Sequence, residues 1–142
     1  MDNKHVEKTL VLIKPDAVQK KCVGKIIALY EESRLTLESI KIMIPDESLL
    51  EKHYAEHKDK PFFPHLIRFM SSDRVVAIVL SGKDAIEKVR KINGKTDPAN
   101  ASEGTIRYLF GTNVTENAVH GSANTIDAKR EIDIWFTENS RP

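Results

Sequence analysis

His120 ends the short apolar run Ala118-Val119 and is followed directly by Gly121-Ser122. A glycine there lets the backbone turn sharply and leaves the imidazole edge uncovered. A histidine so placed can act as a nucleophile, because the neutral ring offers a lone pair near physiological pH. Glu131 falls in a segment patterned as a helix and could hold the ring in one tautomer. A lone histidine beside glycine is also an ordinary loop or core residue, so this segment does not decide the chemistry by itself.

Groups able to bind an anion recur at the ends of the patterned segments: Lys14, Tyr54, His57, Arg90, Thr96 and Arg107. Arginine offers forked donors that match phosphate oxygens, and lysine a point charge. Thr96 and Asn117 add neutral hydrogen bonds. Phe62 lies in a proline-flanked stretch, where an exposed ring could stack on a nucleobase; Phe63 beside it is expected in the core. His53-Tyr54-Ala55-Glu56-His57 matches the H-x-x-E-H zinc pattern, which needs both histidines on one helical face. No third ligand stands on a defined downstream helix, and the reading of two histidines on a half-exposed helix is preferred. The chain has neither a Walker-type loop nor a G-x-G-x-x-G. A bound nucleotide would therefore be gripped by side chains.

These groups must be positioned by a small set of elements. Thr9–Ile13 reads as a buried central strand. Gly24–Glu32 reads as a helix, and Thr36–Ile44 as a strand with Ile40, Ile42 and Ile44 on one face. Ser48-Leu49-Leu50-Glu51 resembles a capping box that opens a helix to about Lys58, with a further short helix over His65–Met70. Val75–Leu80 is a second buried strand. Ser81–Asp84 then caps a helix carrying Ala85, Ile86 and Val89. Asn93–Glu116 reads as a long loop, Asn117–His120 as a last strand, and Asn124 as the cap of a helix bearing Ala128, Ile132 and Trp135. This order fits an α/β (α+β) split β-α-β arrangement, with helices on one face of a mostly antiparallel sheet.

The chain of 142 residues suits one domain spanning 1–142. Its 22 basic and 21 acidic residues give a net charge of +1, which lacks the footprint of a nucleic-acid binder. The single Cys22 excludes an intrachain disulfide and fits a reducing cytoplasm. No membrane span or signal-type apolar run is expected, and Met1–His5 is polar.

Five segments, in order, resemble the nucleoside diphosphate kinase family from about Lys8 to Phe136. They are Thr9–Val18 with its Lys14-Pro15-Asp16, His53-Tyr54 with Lys60-Pro61-Phe62-Phe63, Gly94–Ala99, Gly104–Arg107, and Asn117–Ser122. The resemblance implies a ferredoxin-like split β-α-β sandwich with a four-stranded sheet. It also implies transfer of the γ-phosphate of a nucleoside triphosphate to a nucleoside diphosphate, with wide tolerance of base and sugar.

By position, the resemblance makes His120 the phosphorylated residue, Glu131 its orienting carboxylate and Ser122 a nearby hydroxyl. Lys14 and Asn117 fall to the sugar hydroxyls, and Tyr54, His57, Arg90, Thr96 and Arg107 to the phosphates. Phe62 and Val114 would sandwich the base, with Leu66 beside them. It further implies Mg²⁺ bound through the nucleotide phosphates rather than by the protein, and a homo-oligomer of dimers, a hexamer or else a tetramer. Nucleic acid and membrane are not expected as partners. In family hexamers the trimer contacts fall in the stretch that here carries Ile106, Leu109 and Phe110. The chain departs from the family pattern at Ala123-Asn124, Tyr108-Leu109 and Ser72-Asp73-Arg74, none of them a residue assigned to chemistry.

Overall fold

The structure is a computed structural model and describes residues 6–136. Its strands are β1 (Val6–Ile13), β2 (Thr36–Met43), β3 (Val75–Lys83) and β4 (Val119–Gly121). They form one sheet in the order β2-β3-β1-β4, and every neighbouring pair is antiparallel. β1 and β2 therefore run parallel with β3 between them. This is the interleaved, ferredoxin-like form of two split β-α-β units.

Helices cover both faces of the sheet rather than the one expected. Val11 and Ile13 of β1 face the core built with Ile26 and Tyr30 of α2 (Val23–Glu32) and Val89 of α5 (Ala85–Asn93). Leu10 and Leu12 face the opposite way. They pack with Leu50 of α3 (Glu47–His53), Met70 of α4 (Phe63–Met70) and Trp135 of α7 (Thr125–Phe136). The cause is in the sequence: a strand with no polar alternation has two apolar faces, and each needs a cover.

Several boundaries shift. Pro15–Gln19 forms a short helix, α1, with proline in its first turn, where the missing N–H costs nothing. The cap of α3 is Asp46, whose carboxylate accepts from the Leu49 amide at 2.8 Å, so the Ser48 capping box does not form. α3 stops at His53, and Ala55–His57 is a 3₁₀ turn. His53 and His57 thus never share a helical face, and the zinc geometry is absent. α5 starts from Asp84 in the left-handed region without a side-chain cap. Glu7 of β1 accepts from the Ile86 amide instead, at 2.9 Å. Asn124 does cap α7, accepting from Asp127 N at 2.8 Å.

The long stretch after α5 is ordered by a 3₁₀ turn at Pro98–Asn100 and by α6 (Ile106–Phe110), which buries Ile106 against the sheet. Lys20 ties the far end of this stretch to α1 through Phe110 O and Thr112 Oγ1. At the departing turn, the Asp73 carboxylate accepts from the Arg74 amide and from Gln19.

Candidate active site

β4 brings His120 to the wall of a cleft of about 1160 Å³. The chain reaches it through a strained turn. Ala118 has φ +76°, and Val119 N donates to Asn117 O at 2.9 Å, closing a three-residue γ-turn. Such a backbone costs on the order of 1–3 kcal/mol and persists only when its surroundings over-determine it. Here they do. The Asp16 carboxylate accepts from Ala118 N at 3.0 Å, and Lys14 N donates to Ala118 O at 2.8 Å. Burial raises the pKa of Asp16, opposed by the Ala118 amide and Lys14.

His120 Nε2 lies 2.9 Å from Glu131 Oε1. The other ring nitrogen, Nδ1, is left without a partner among the described residues. Glu131 is buried on α7, where Ser122 Oγ donates to the same Oε1 at 2.7 Å and Arg130 stands 3.6 Å from Oε2. Burial alone would raise the pKa of Glu131, but the bond and charge of His120 and the Ser122 hydroxyl outweigh it. The group ends below its usual range as a held carboxylate. Ser122 thus stands near the ring, joined to it through the shared Glu131 oxygen rather than by a bond of its own. It receives the Leu10 amide at 3.2 Å and points at Glu131, so it acts as a positioning residue.

His53 supports the ring from the other side. Trp135 Nε1 donates to His53 Nδ1 at 3.0 Å, and the His53 and His120 rings meet edge to face at 4.7 Å. Burial and the neighbouring cations hold the His53 pKa well below its ordinary value, so this imidazole stays neutral. His53, His120 and Glu131 offer three ligand atoms within 4.8 Å of one another. Each of the two rings already spends one nitrogen, His53 on Trp135 and His120 on Glu131.

The cations and donors expected at the site line the same cleft: Lys14, Tyr54, His57, Arg90, Thr96, Arg107 and Asn117. Lys14 Nζ donates to Asn117 Oδ1 at 2.8 Å, and Asn117 Nδ2 donates to Thr96 O and Val114 O. Burial first, then Arg107, lowers the Lys14 pKa to about 8, against the pull of Asp16. Arg107 is braced rather than free. It donates to Gly94 O at 2.8 Å, Val119 O at 2.7 Å and Asn117 O at 3.3 Å, leaving two of its five N–H groups for a ligand. Tyr54 Oη is buried with no partner among the described residues, and so is His57 Nδ1. Burial keeps the Tyr54 phenol protonated. A sealed hydroxyl with no partner costs free energy that a docking anion would remove.

At the mouth, Phe62 and Val114 are exposed at 49% and 58%, with Leu66 beside them on α4. The His57 ring lies 5.5 Å from Phe62, tilted by 55°, and the Lys60 ammonium sits 5.9 Å from the Phe62 centroid. Phe63 packs into the core, as its neighbours in sequence suggest. Ala123 lines the rim, where a larger side chain would narrow it.

Gly121 has a different reason from the expected turn. It lies in β4 opposite Val11, and a Cβ there would come within 2.9 Å of Asn93 Nδ2 and Val89 Cγ1 of α5. Close approach of helix to strand demands the glycine. Sequence reading missed Asp16, His53 and Trp135 as supports of the site. It also missed Asn93, whose signal was a lone polar residue continuing the apolar stripe of α5.

A ferredoxin-like α+β domain whose cation-lined cleft converges on one carboxylate-held histidine defines a phosphate-handling transferase without a P-loop. The family model described as nucleoside diphosphate kinase matches residues 7–140. The chain is 47% identical over 131 residues to a nucleoside diphosphate kinase of Thermus thermophilus, covering 92% of this chain and 96% of that protein. With one from Caldanaerobacter subterraneus it shares 49% over 133 residues, covering 94% and 96%. The crystal structure of the Aquifex aeolicus nucleoside diphosphate kinase superposes with a TM-score of 0.90 at 39% identity, covering 92% of this chain and 95% of that one. The apo enzyme from Encephalitozoon cuniculi gives 0.91 at 39% identity, covering 96% and 92%. The chain belongs to the nucleoside diphosphate kinase family.

Proposed function

We propose that this chain transfers the γ-phosphate of a nucleoside triphosphate to a nucleoside diphosphate in two displacements through a phosphorylated His120, maintaining triphosphate pools. The observation that carries the reading is the Nε2–Glu131 bond at 2.9 Å, which fixes the tautomer and leaves Nδ1 as the free nitrogen. Nδ1 attacks the γ-phosphorus, the N–P bond forms, and the P–O bond to the departing diphosphate breaks. The proton on Nε2 stays on the ring, and Glu131 balances the positive charge that develops there. Lys14, Tyr54, Arg90 and Arg107 stabilise charge on the transferring and leaving oxygens, so most of the acceleration comes from positioning and electrostatics. A second diphosphate reverses the sequence.

The cleft suits a Mg²⁺ carried by the nucleotide phosphates. Its wall is rich in donors and cations, and of its three carboxylates both Glu131 oxygens face protein groups, Asp127 stands at Arg130 and Glu56 at His57. When bound, the ion neutralises phosphate charge. Phe62 and Val114 offer flat apolar contact without a group that reads a base edge, which supports broad base tolerance. Incubation with γ-labelled ATP, followed by removal of nucleotide, is expected to leave acid-labile, base-stable label on His120. Protein free of label overturns the reading.

Lys14 makes the reading pH-dependent. Its ammonium donates to the ligand only when protonated, and its lowered pKa of about 8 puts the loss in the alkaline range. kcat/KM, which reports the free enzyme, is expected to fall as pH rises through about 8. In Lys14→Arg, whose guanidinium stays charged, that limb moves above about 9. An unmoved limb in the variant assigns the titration elsewhere.

A cytoplasmic location fits the lone Cys22, and no described helix is long and apolar enough to cross a membrane. The proposed assembly is a homo-oligomer of dimers, most simply a hexamer, with a tetramer as the alternative. β2 is an edge strand, paired only with β3 among the described strands, with Ile40 and Ile42 exposed at 45% and 62%. Ile44 beyond it is 60% exposed, and Tyr108 and Leu109 on α6 add a second apolar patch. Light scattering at low micromolar protein is expected to give a multiple of the 16.1 kDa chain. A monomer mass refutes the oligomer, and a four-chain mass selects the tetramer.

A further inference from the structure

We propose that Asn93 is a further phosphate-facing donor of this site, its side-chain amide aimed into the cleft by Tyr30. The inference rests on the reading that the phosphoryl group docks beside His120.

α5 buries Ala85, Ile86, Val89 and Asn93 on one stripe. The last is an amide with 1% exposure in a position that an aliphatic side chain would fill. A buried amide is costly unless its polar atoms are matched. Only one end of this one is matched. Tyr30 Oη, itself fully buried on α2, donates to Asn93 Oδ1 at 2.6 Å. The phenol remains a donor because burial drives its pKa upward. That bond fixes the amide plane and makes the Tyr30 side the acceptor end. Nδ2 then points away from Tyr30 toward β4, where it would sit 2.9 Å from a Cβ on Gly121. It meets no acceptor among the described residues. Asn93, Gly121 and His120 line the same cavity.

An N–H fixed against Gly121, the residue after the reacting histidine, with no acceptor among the described residues, is matched by an anionic oxygen. Hydrogen bonds to charged acceptors are the stronger kind. A neutral donor also suits this wall. Arg107 already depresses the Lys14 pKa by its charge, and another cation there would add to that repulsion. The amide supplies a hydrogen bond without it. Gly121 is then required for the same geometry, since any side chain at that position would push Asn93 aside.

The test compares Asn93→Leu, Tyr30→Phe and the double variant Y30F/N93L in steady-state transfer and thermal unfolding, with ATP and a diphosphate acceptor. Asn93→Leu alone leaves the Tyr30 hydroxyl buried without an acceptor, so it loses stability for a reason unrelated to catalysis. The double variant removes both partners and leaves no orphan, which keeps the fold. The expected result is a loss of about 10- to 100-fold in kcat/KM for Asn93→Leu that persists in the double variant while its unfolding temperature recovers. Tyr30→Phe keeps the donor but frees its plane, and loses less. Activity of the double variant at the parent level overturns the proposal and makes Asn93 only a partner for Tyr30. Label on the parent is followed separately. Its absence from His120 overturns the phosphohistidine reading, while the kcat/KM comparison still decides Asn93.

Discussion

His120→Ala is expected to lower kcat/KM for phosphoryl transfer by at least about 10⁴-fold, or ~5.5 kcal/mol of transition-state stabilisation. Nucleotide affinity should change by less than about threefold. The two effects separate because of how the cleft is built. The grip on the ligand is assigned to Lys14, Tyr54, Arg90, Arg107 and Asn117, and four of these are held by bonds or burial that do not pass through the imidazole. Lys14 and Asn117 brace each other at 2.8 Å, Arg107 is pinned to three backbone carbonyls, and Tyr54 is buried against α4 and α7. Removing the ring takes away the nitrogen to which the N–P bond is assigned. Calorimetric titration with ADP and a coupled transfer assay on the same protein check both halves. Substantial residual turnover would falsify the nucleophile assignment.

Glu131→Gln should produce the second largest effect, a fall in kcat on the order of 10²-fold with little change in KM. The carboxylate is held below its usual pKa mainly by His120 and Ser122 against the penalty of burial, so it is ionised throughout the working range. A glutamine keeps the shape and can still accept from Nε2–H. It cannot balance the positive charge that the ring gains when Nδ1 takes the phosphoryl group. The charge exists only after attack begins, so the loss belongs to the transition state and not to binding. Rapid-quench measurement of phosphohistidine formation distinguishes this from slow product release. Equal kcat in parent and variant rules the role out.

The residues that line the cleft are legible in the sequence to an unusual extent because they sit in short local motifs. His120 and Glu131, the anion-binding set and the aromatic Phe62 were named from type and position, and all line one cleft. The two central strands were legible for a related reason: an unbroken apolar run has few other places to go. Local reading failed where a distant partner settles the structure. The α5 cap is a glutamate from β1 rather than its own neighbour, and α3 is capped by Asp46 two residues before the apparent capping box. Helices on both faces followed from β1 but became visible only once each face found its own core.

What the sequence by itself determined was the list of side chains that line the cleft and the order of the four strands and the longer helices, because both rest on side-chain type and periodicity. Tertiary structure alone decided how those groups are aimed. Ser122 donates to the same Glu131 oxygen that His120 meets, since the Leu10 amide of the neighbouring strand holds its hydroxyl there. Arg107 becomes a braced wall because three carbonyls from separate segments converge on it. Ala118 can stay at φ +76° only because Asp16 and Lys14, about a hundred residues earlier in the chain, hold its amide and carbonyl. Asn93 reaches the cleft because a helix and a strand approach at a glycine. Each of these is a contact between residues far apart in sequence, and no local pattern encodes the direction in which a side chain will find its partner.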